Sequence, residues 1–193
     1  MSKKNITAIV LAGGKSSRMG SDKALLLYKN KTFLEHVVCA IKPLVDEVII
    51  VSNNKDHQLD DCTTIPDLIL NSGPIAGIYS GLKHTKTENN LVLSCDIPLV
   101  KTSILEIVIK NNDSDKEVIQ LINEQNRMPL IALYKKRLAP YFLSQLNKGQ
   151  RRLMDVISNL KTKEVFVKKE ENAFLLNINT ENEFKTLKDG IIN

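Results

Sequence analysis

Glycines and cations are concentrated in the thirteen residues from Leu11 to Lys23, directly after an apolar run. The glycines are Gly13, Gly14 and Gly20, and the cations are Lys15, Arg18 and Lys23. Glycine lets a backbone approach a bulky anion with its N–H groups exposed, and the cations add positive charge. A flexible, solvated surface loop is the alternative interpretation. The position after a buried strand favours a loop that binds nucleotide phosphate.

Two familiar phosphate-binding fingerprints do not fit this stretch. A P-loop of the form G-x-x-x-x-G-K-S/T would need its first glycine at position 9, which is Ile9. The dinucleotide fingerprint G-x-G-x-x-G fails because Gly13 and Gly14 are adjacent and the next residue is Lys15. The sequence therefore predicts a phosphate loop of another type.

Three polar residues follow other predicted strands. They are Asn53, Asp67 and Asp96, the last ending the segment Leu-Val-Leu-Ser-Cys-Asp. Residues past the carboxyl ends of parallel strands converge on one crevice, and Mg²⁺ binds through one or two carboxylates plus substrate phosphates. Asp96 is therefore the candidate Mg²⁺ ligand, although it could instead cap a helix or fix a turn. Asp67 could equally be an ordinary turn residue.

Strand and helix patterns alternate along the chain, and they must position these residues. Strands are predicted at 6–10, 48–51, 63–66, 91–93, 118–122, 130–134, 165–167 and 174–178. Helices are predicted at 33–44, 75–82, 103–110, 138–146 and 153–160, with a last one opened by a capping box at Thr180 and Glu183. The pattern predicts one Rossmann-like α/β domain over 1–193, with a mostly parallel sheet, helices on both faces and a small antiparallel hairpin.

Composition excludes several classes of function. The chain has 193 residues, 42% of them hydrophobic and 25% charged, which is typical of a globular enzyme. The net charge of +5 suits an anionic ligand, but the cations are dispersed and aromatic residues make up only 5%, so nucleic acid is not expected as a partner. No apolar run approaches the ~20 residues that cross a bilayer, and no signal peptide is indicated. We expect a cytoplasmic protein without membrane contact.

The opening stretch resembles the L-A-G-G-x-S-x-R-M-G-x-D-K motif of the molybdenum cofactor guanylyltransferases, within the nucleotidyltransferase superfamily. Further blocks that look like this family occur in family order. They are Asp67 with 73–78, then 95–98, 129–134, 149–152 and 177–180. Each block alone is weak, and their order and spacing make the resemblance specific.

This resemblance implies transfer of GMP from GTP onto the terminal phosphate of molybdenum-molybdopterin, with release of pyrophosphate. Carried over by position, the nucleotide-binding residues would be Leu11, Ala12, Gly13, Gly14, Lys23, Asn53, Asp67 and Asp96. Asp96 would also bind Mg²⁺, and Arg18 and Lys23 would hold the triphosphate, which makes these three the expected catalytic residues. Arg151, Arg152 and Asn179 would contact the acceptor, or else be ordinary surface.

Alternatives remain open at this point. A CTP-dependent molybdopterin cytidylyltransferase has a very similar opening, and another small nucleotidyltransferase is possible. A non-catalytic nucleotide-binding regulator belongs to a different class, and the presence of both Lys23 and Asp96 argues against it. Proteins that deliver or accept the cofactor are possible further partners.

Overall fold

The computed structural model describes residues 4–13, 22–124 and 126–190. The strands in these ranges are β1 (Ile6–Leu11), β2 (Leu27–Tyr28), β3 (Lys31–Thr32), β4 (Glu47–Val51), β5 (Thr63–Ile65), β6 (Asn89–Ser94), β7 (Val118–Ile122), β8 (Arg127–Lys135) and β9 (Thr162–Phe166). The α-helices are α1 (Phe33–Ile41), α2 (Gly73–His84), α3 (Thr102–Lys110), α4 (Ala139–Asn147), α5 (Leu153–Ile157) and α6 (Glu181–Lys188).

A seven-stranded sheet in the order β5-β4-β1-β6-β8-β7-β9 forms the centre of the molecule. β1 pairs in parallel with β4 and β6, β4 with β5, and β7 with β9, whereas β8 runs antiparallel to both of its neighbours. The predicted hairpin is β7 with β8. The predicted class, a mostly parallel α/β sheet with a small antiparallel hairpin, is confirmed.

Helices cover both faces of the sheet. Alternate residues of β1 point to opposite faces, and apolar residues on each face pack against helices. Ala8 and Val10 pack in one core cluster with α1 and α3. Ile9 and Leu11 pack in a second cluster with α2, α4 and α5. α2 lies very close to β1, since a Cβ atom added at Gly81 would lie 2.4 Å from Ile9 Cγ2.

One predicted strand is wrong. Residues 174–178 were expected to form a strand, but a 3₁₀ helix covers Lys169–Leu175 and the chain then continues without pairing in the sheet. The buried side chains of this segment belong to different clusters, Leu175 to the one around α1 and α3 and Ile178 to a small one with Phe33 and Leu187. The apolar spacing therefore reflects two separate burial sites and no common sheet face.

Two features outside the main sheet complete the architecture. β2 and β3 form a separate two-stranded hairpin, which the sequence patterns did not predict. Both capping boxes recognisable in the sequence are present, with Thr32 and Glu35 opening α1 and Thr180 and Glu183 opening α6. None of the described helices has the length and hydrophobicity needed to cross a membrane.

Candidate active site

The candidate site lies at the carboxyl edge of the parallel half of the sheet. Leu11 pairs with both Val51 and Ser94, and Val51 with Ile65, so the four strands end level with one another. Four candidate residues each follow two positions after the last residue of a strand. They are Gly13 after β1, Asn53 after β4, Asp67 after β5 and Asp96 after β6. The register of the strands therefore places these four residues along one edge, as the sequence predicted.

Backbone hydrogen bonds extend this order past the strand ends. Ala12 N–H donates to Val51 O at 3.1 Å, Ser52 N–H to Ile65 O at 2.9 Å, and Cys95 N–H to Leu11 O at 3.1 Å. These bonds fix the residues immediately before Gly13, Asn53 and Asp96. The direction in which the chain leaves each strand is therefore set by the sheet itself.

A cavity of about 550 Å³ opens at this edge and forms the first part of the site. It is lined by Gly13, Asn53, Asp67, Leu70, Asn71, Ser72 and Gly73. A second cavity of about 250 Å³ shares Gly13, Asp67 and Gly73 with it, and it extends inward to Leu11, Gly77 and Leu130. Together the two cavities form a continuous cleft with one polar wall and an apolar floor, which is typical of small-molecule sites.

Asn53 and Asp67 form the polar wall as one hydrogen-bonded unit. Asp67 N–H donates to Asn53 Oδ1 at 3.2 Å. Asp67 Oδ1 accepts from the buried Ser80 hydroxyl at 3.0 Å and from Ile69 N–H at 3.2 Å. Since these bonds use one carboxylate oxygen, the Asp67 side chain is held in one orientation beside the cleft.

The N-terminus of α2 also lies at the cleft. Gly73 lines both cavities and has a φ of +68°, which favours glycine. Ser72, the N-cap residue, makes no side-chain hydrogen bond to the first turn. The positive end of this twelve-residue helix therefore faces the cleft without a side-chain cap, an arrangement that favours an anion.

Lys23 and Asp96 are connected through the segment before α6. Lys23 Nζ donates to Asn179 Oδ1 at 2.6 Å, and the adjacent Ile178 N–H donates to the backbone O of Asp96 at 2.8 Å. Glu183 in turn accepts from Asn179 N–H at 2.6 Å. A chain segment more than eighty residues beyond Asp96 thus links the lysine to the backbone of Asp96.

The pKa of Cys95 indicates how the charges are arranged here. Burial foremost, together with the nearby charges of Asp96 and Asp22, raises the pKa of the Cys95 thiol to about 12, while Lys23 acts in the opposite direction. Lys23 and the two carboxylates therefore lie within electrostatic range of the same buried sulfur atom. A thiol with so high a pKa stays protonated at neutral pH, so Cys95 packs in the core and is no nucleophile.

Asp96 has an unusual environment among the residues that the structure describes. Its Oδ1 atom is buried and has no hydrogen-bond partner there. A buried carboxylate oxygen without a partner is costly, so such an atom commonly marks the place of a ligand. Within the described ranges, no group of three or more His, Cys, Asp or Glu side chains could hold a metal by itself. The arrangement fits a cation that takes one carboxylate and completes its coordination with substrate phosphates.

The structure brings together six of the predicted site residues. Leu11, Gly13, Asn53 and Asp67 line the cleft, and Asp96 follows the neighbouring strand β6, with Lys23 linked to it through Asn179 and Ile178. Ala12 is buried. Gly14 and Arg18 lie outside the described residues, and their roles stay predictions. Arg151 reaches the cleft by its backbone O, which lies 3.6 Å from the position of a Cβ added at Gly73.

Sequence reasoning missed one group of residues. His57 was given no role, yet it is buried and contacts Asp22, the neighbour of Lys23. Nothing in the spacing of the histidines indicates this contact, because the two residues meet only after the loops following β1 and β4 have folded together.

Comparisons with known proteins identify the family of the chain. A family model described as the MobA-like NTP transferase domain matches residues 8–165. A relative from Flavobacterium johnsoniae, named probable molybdenum cofactor guanylyltransferase, is 36% identical over 182 residues, which cover 94% of this chain and 96% of the relative.

Solved structures show the same fold. A crystal structure of a protein from Aquifex aeolicus matches with a TM-score of 0.79 at 33% sequence identity. The match covers 92% of this chain and 94% of the Aquifex chain. The molybdopterin-guanine dinucleotide biosynthesis protein A of Archaeoglobus fulgidus has a TM-score of 0.80 at 23% identity, covering 96% and 98%. At that identity the likeness concerns the fold alone.

Proposed function

The chain belongs to the MobA-like NTP transferase family and is a nucleotidyltransferase, and from this premise we propose that it transfers GMP from GTP to the terminal phosphate of molybdenum-molybdopterin. Pyrophosphate is the second product. The observation that carries the proposal is the division of the site, with the Asn53–Asp67 wall on one side of Gly13 and the Lys23–Asp96 pair on the other. A nucleoside triphosphate has the same two parts, a neutral base and sugar and an anionic tail.

The nucleoside lies along the cleft in this proposal. Asn53 and Asp67 offer hydrogen-bonding groups on the wall, and the inner cavity that reaches Gly77 and Leu130 accepts an apolar surface. Gly13, between the two parts of the site, lets the backbone approach the phosphates. Leu11 and Ala12 set the position of Gly13 at the end of β1.

The chemistry depends mainly on charge and alignment. The acceptor phosphate is already ionised near neutral pH, so no strong general base is required. Two anions repel each other, and Lys23 offsets this repulsion while Asn179 restrains its ammonium group. Arg18 is proposed to act from the same loop. Holding the acceptor phosphate in line with the scissile bond supplies the rest of the rate enhancement.

Asp96 is proposed to hold Mg²⁺. Its unpartnered Oδ1 atom fits a hard cation, and a single carboxylate suffices when substrate phosphates supply other ligands. When bound, Mg²⁺ would provide Lewis-acid chemistry, offsetting the negative charge of the triphosphate and of the departing pyrophosphate. The backbone O of Asp96 accepts from Ile178 N–H, and this bond restrains the residue that carries the carboxylate.

The proposal is tested by pyrophosphate release from GTP with Mg²⁺ and molybdenum-loaded molybdopterin, with the dinucleotide product identified by mass spectrometry. We expect release that depends on the acceptor. We also expect GTP with Mg²⁺ to raise the melting temperature more than CTP does. An equal or larger shift with CTP, together with faster turnover of CTP, would replace the guanylyl assignment by a cytidylyl one. If neither GTP nor CTP is turned over with this acceptor, the choice of acceptor is wrong.

A further inference from the structure

Asp22 directly precedes Lys23 and stabilises the backbone conformation at the lysine. Its Oδ1 atom accepts from Ala24 N–H at 3.1 Å and caps the 3₁₀ helix Lys23–Leu25. Its backbone O accepts from Leu25 N–H at 3.2 Å. Because Lys23 is the first residue of this single turn, any rotation of Asp22 also moves the lysine.

The second carboxylate oxygen of Asp22 is held by the loop after β4. Asn54 Nδ2 donates to Oδ2 at 3.0 Å, and His57 Nε2 lies 3.0 Å from the same atom. The His57 side chain is only 1% exposed. The carboxylate next to Lys23 therefore has partners on both oxygens, one of them a buried imidazole.

Ser52 fixes the orientation of this imidazole. Its Oγ atom accepts from Asn54 N–H at 3.0 Å and lies 2.6 Å from His57 Nδ1. A hydroxyl has one proton, which it can donate to Nδ1, and Nε2 then carries the ring proton that points at Asp22. The two partners of the ring thus select the tautomer in which His57 donates to the carboxylate.

The charge of Asp22 explains why this restraint matters. A carboxylate beside a triphosphate site repels the ligand and competes for the ammonium group of Lys23. Donors on both oxygens offset its charge and keep it directed toward the loop after β4. We propose that His57 is a positioning residue for nucleotidyl transfer, acting through Asp22 to keep Lys23 aligned with the triphosphate. This inference rests on the proposed function for its kinetic test.

Two amide substitutions test the roles of the two ring nitrogens of His57 separately. In His57→Gln the amide reaches the position of Nε2 and can donate to Asp22. In His57→Asn it reaches only the position of Nδ1, keeping the contact with Ser52 and losing that with Asp22. We expect His57→Gln to retain most of kcat and His57→Asn to lose about tenfold to a hundredfold, with a much smaller change in KM for GTP. His84→Asn, at the exposed end of α2, is the control.

A structural role alone would give a different result, in which the two variants differ in melting temperature but have the same kcat. That result would overturn the inference, as would normal kcat in both variants.

A second measurement does not depend on turnover. Acetic anhydride acylates lysines at a rate that depends on how strongly each amine is held as an ammonium ion, and mass spectrometry reports Lys23 separately. We expect slower acylation of Lys23 in His57→Asn than in His57→Gln, because the released carboxylate pairs with the ammonium group. Equal rates would contradict the inference. If wild-type protein releases no pyrophosphate, the proposed function fails, and this comparison still decides the role of His57.

Discussion

The two halves of the sheet contribute to the site in different ways. In the parallel half, β5, β4, β1 and β6 each supply one candidate residue two positions after the strand ends. In the other half, β8, β7 and β9 supply none in this way. Its polar contributions, Arg151 and Asn179, come from connecting segments, and β8 adds the apolar side chain of Leu130. Strand register thus positions one side of the site, and loop packing positions the other.

The reversed direction of β8 explains why this strand does not end at the site. Its last residue, Lys135, pairs with Asn89 at the beginning of β6, at the opposite edge of the sheet from Asp96. Lys135 is buried, and burial lowers its pKa. Its Nζ atom donates to Asn89 and Asn112 Oδ1, both at 2.7 Å. The buried lysine at this edge therefore has a structural role, whereas Lys23 is linked to the residues of the candidate site.

The largest expected effect comes from the parallel half. Asp96→Ala removes the proposed Mg²⁺ ligand, and we expect pyrophosphate release from GTP to fall by about a hundredfold to a thousandfold, the size seen when one group that stabilises transition-state charge is lost. The melting temperature should change little, since Oδ1 has no hydrogen-bond partner among the described residues. Asp115→Ala, on an exposed loop, is the control. Normal activity in Asp96→Ala would show that the metal assignment is wrong.

The next effect concerns the packing of that same half. In Gly81→Ala the new Cβ would lie 2.4 Å from Ile9 Cγ2, so α2 and β1 must move apart. We expect a loss of about 1–3 kcal/mol in the free energy of unfolding, measured by urea denaturation. Lys83→Ala, two residues further on an exposed face of α2, should change it far less. Equal stability of both variants would show that the close approach is not required.

The parallel half is also the part that the sequence predicts best. Runs such as 48–51 and 91–93 are apolar throughout, which indicates strands buried on both faces, and the polar residues that follow them mark the carboxyl edge. Asn53, Asp67 and Asp96 could be placed from this pattern without any knowledge of long-range contacts. The pattern also predicts Asp96 as the candidate Mg²⁺ ligand, whereas nucleotide binding by Asn53 and Asp67 is implied by the family resemblance.

Contacts between distant loops could not be predicted. Lys23 with Asn179 and Asp22 with His57 are pairs whose members lie far apart in the sequence, and no motif links one member to the other. The mistaken strand at 174–178 has a related cause, because a short apolar run looks the same whether it faces one sheet or packs into two separate clusters. The small hairpin of β2 and β3 was missed since its strands have only two residues each.

The smallest effect should come from the segment that brings Asn179 to Lys23. Glu183 accepts from the N–H groups of Asn179 and Thr180, at 2.6 Å and 2.8 Å, and these bonds, with the Asn179 bond foremost, lower the pKa of its carboxyl group. Glu183→Ala should lower the free energy of unfolding at pH 7 by roughly 0.5–1 kcal/mol, the usual cost of a lost cap.

The pH dependence of this difference tests the role of charge. Because the pKa of Glu183 is lowered in the folded state, its ionised carboxylate stabilises the protein above the ordinary value of 4.5. This contribution disappears as the pH falls through the folded-state pKa. Urea denaturation of both proteins between pH 7 and the acid range should therefore show their difference shrinking below 4.5. A difference independent of pH would mean that Glu183 acts through packing, and that charge has no part in holding the segment at Lys23.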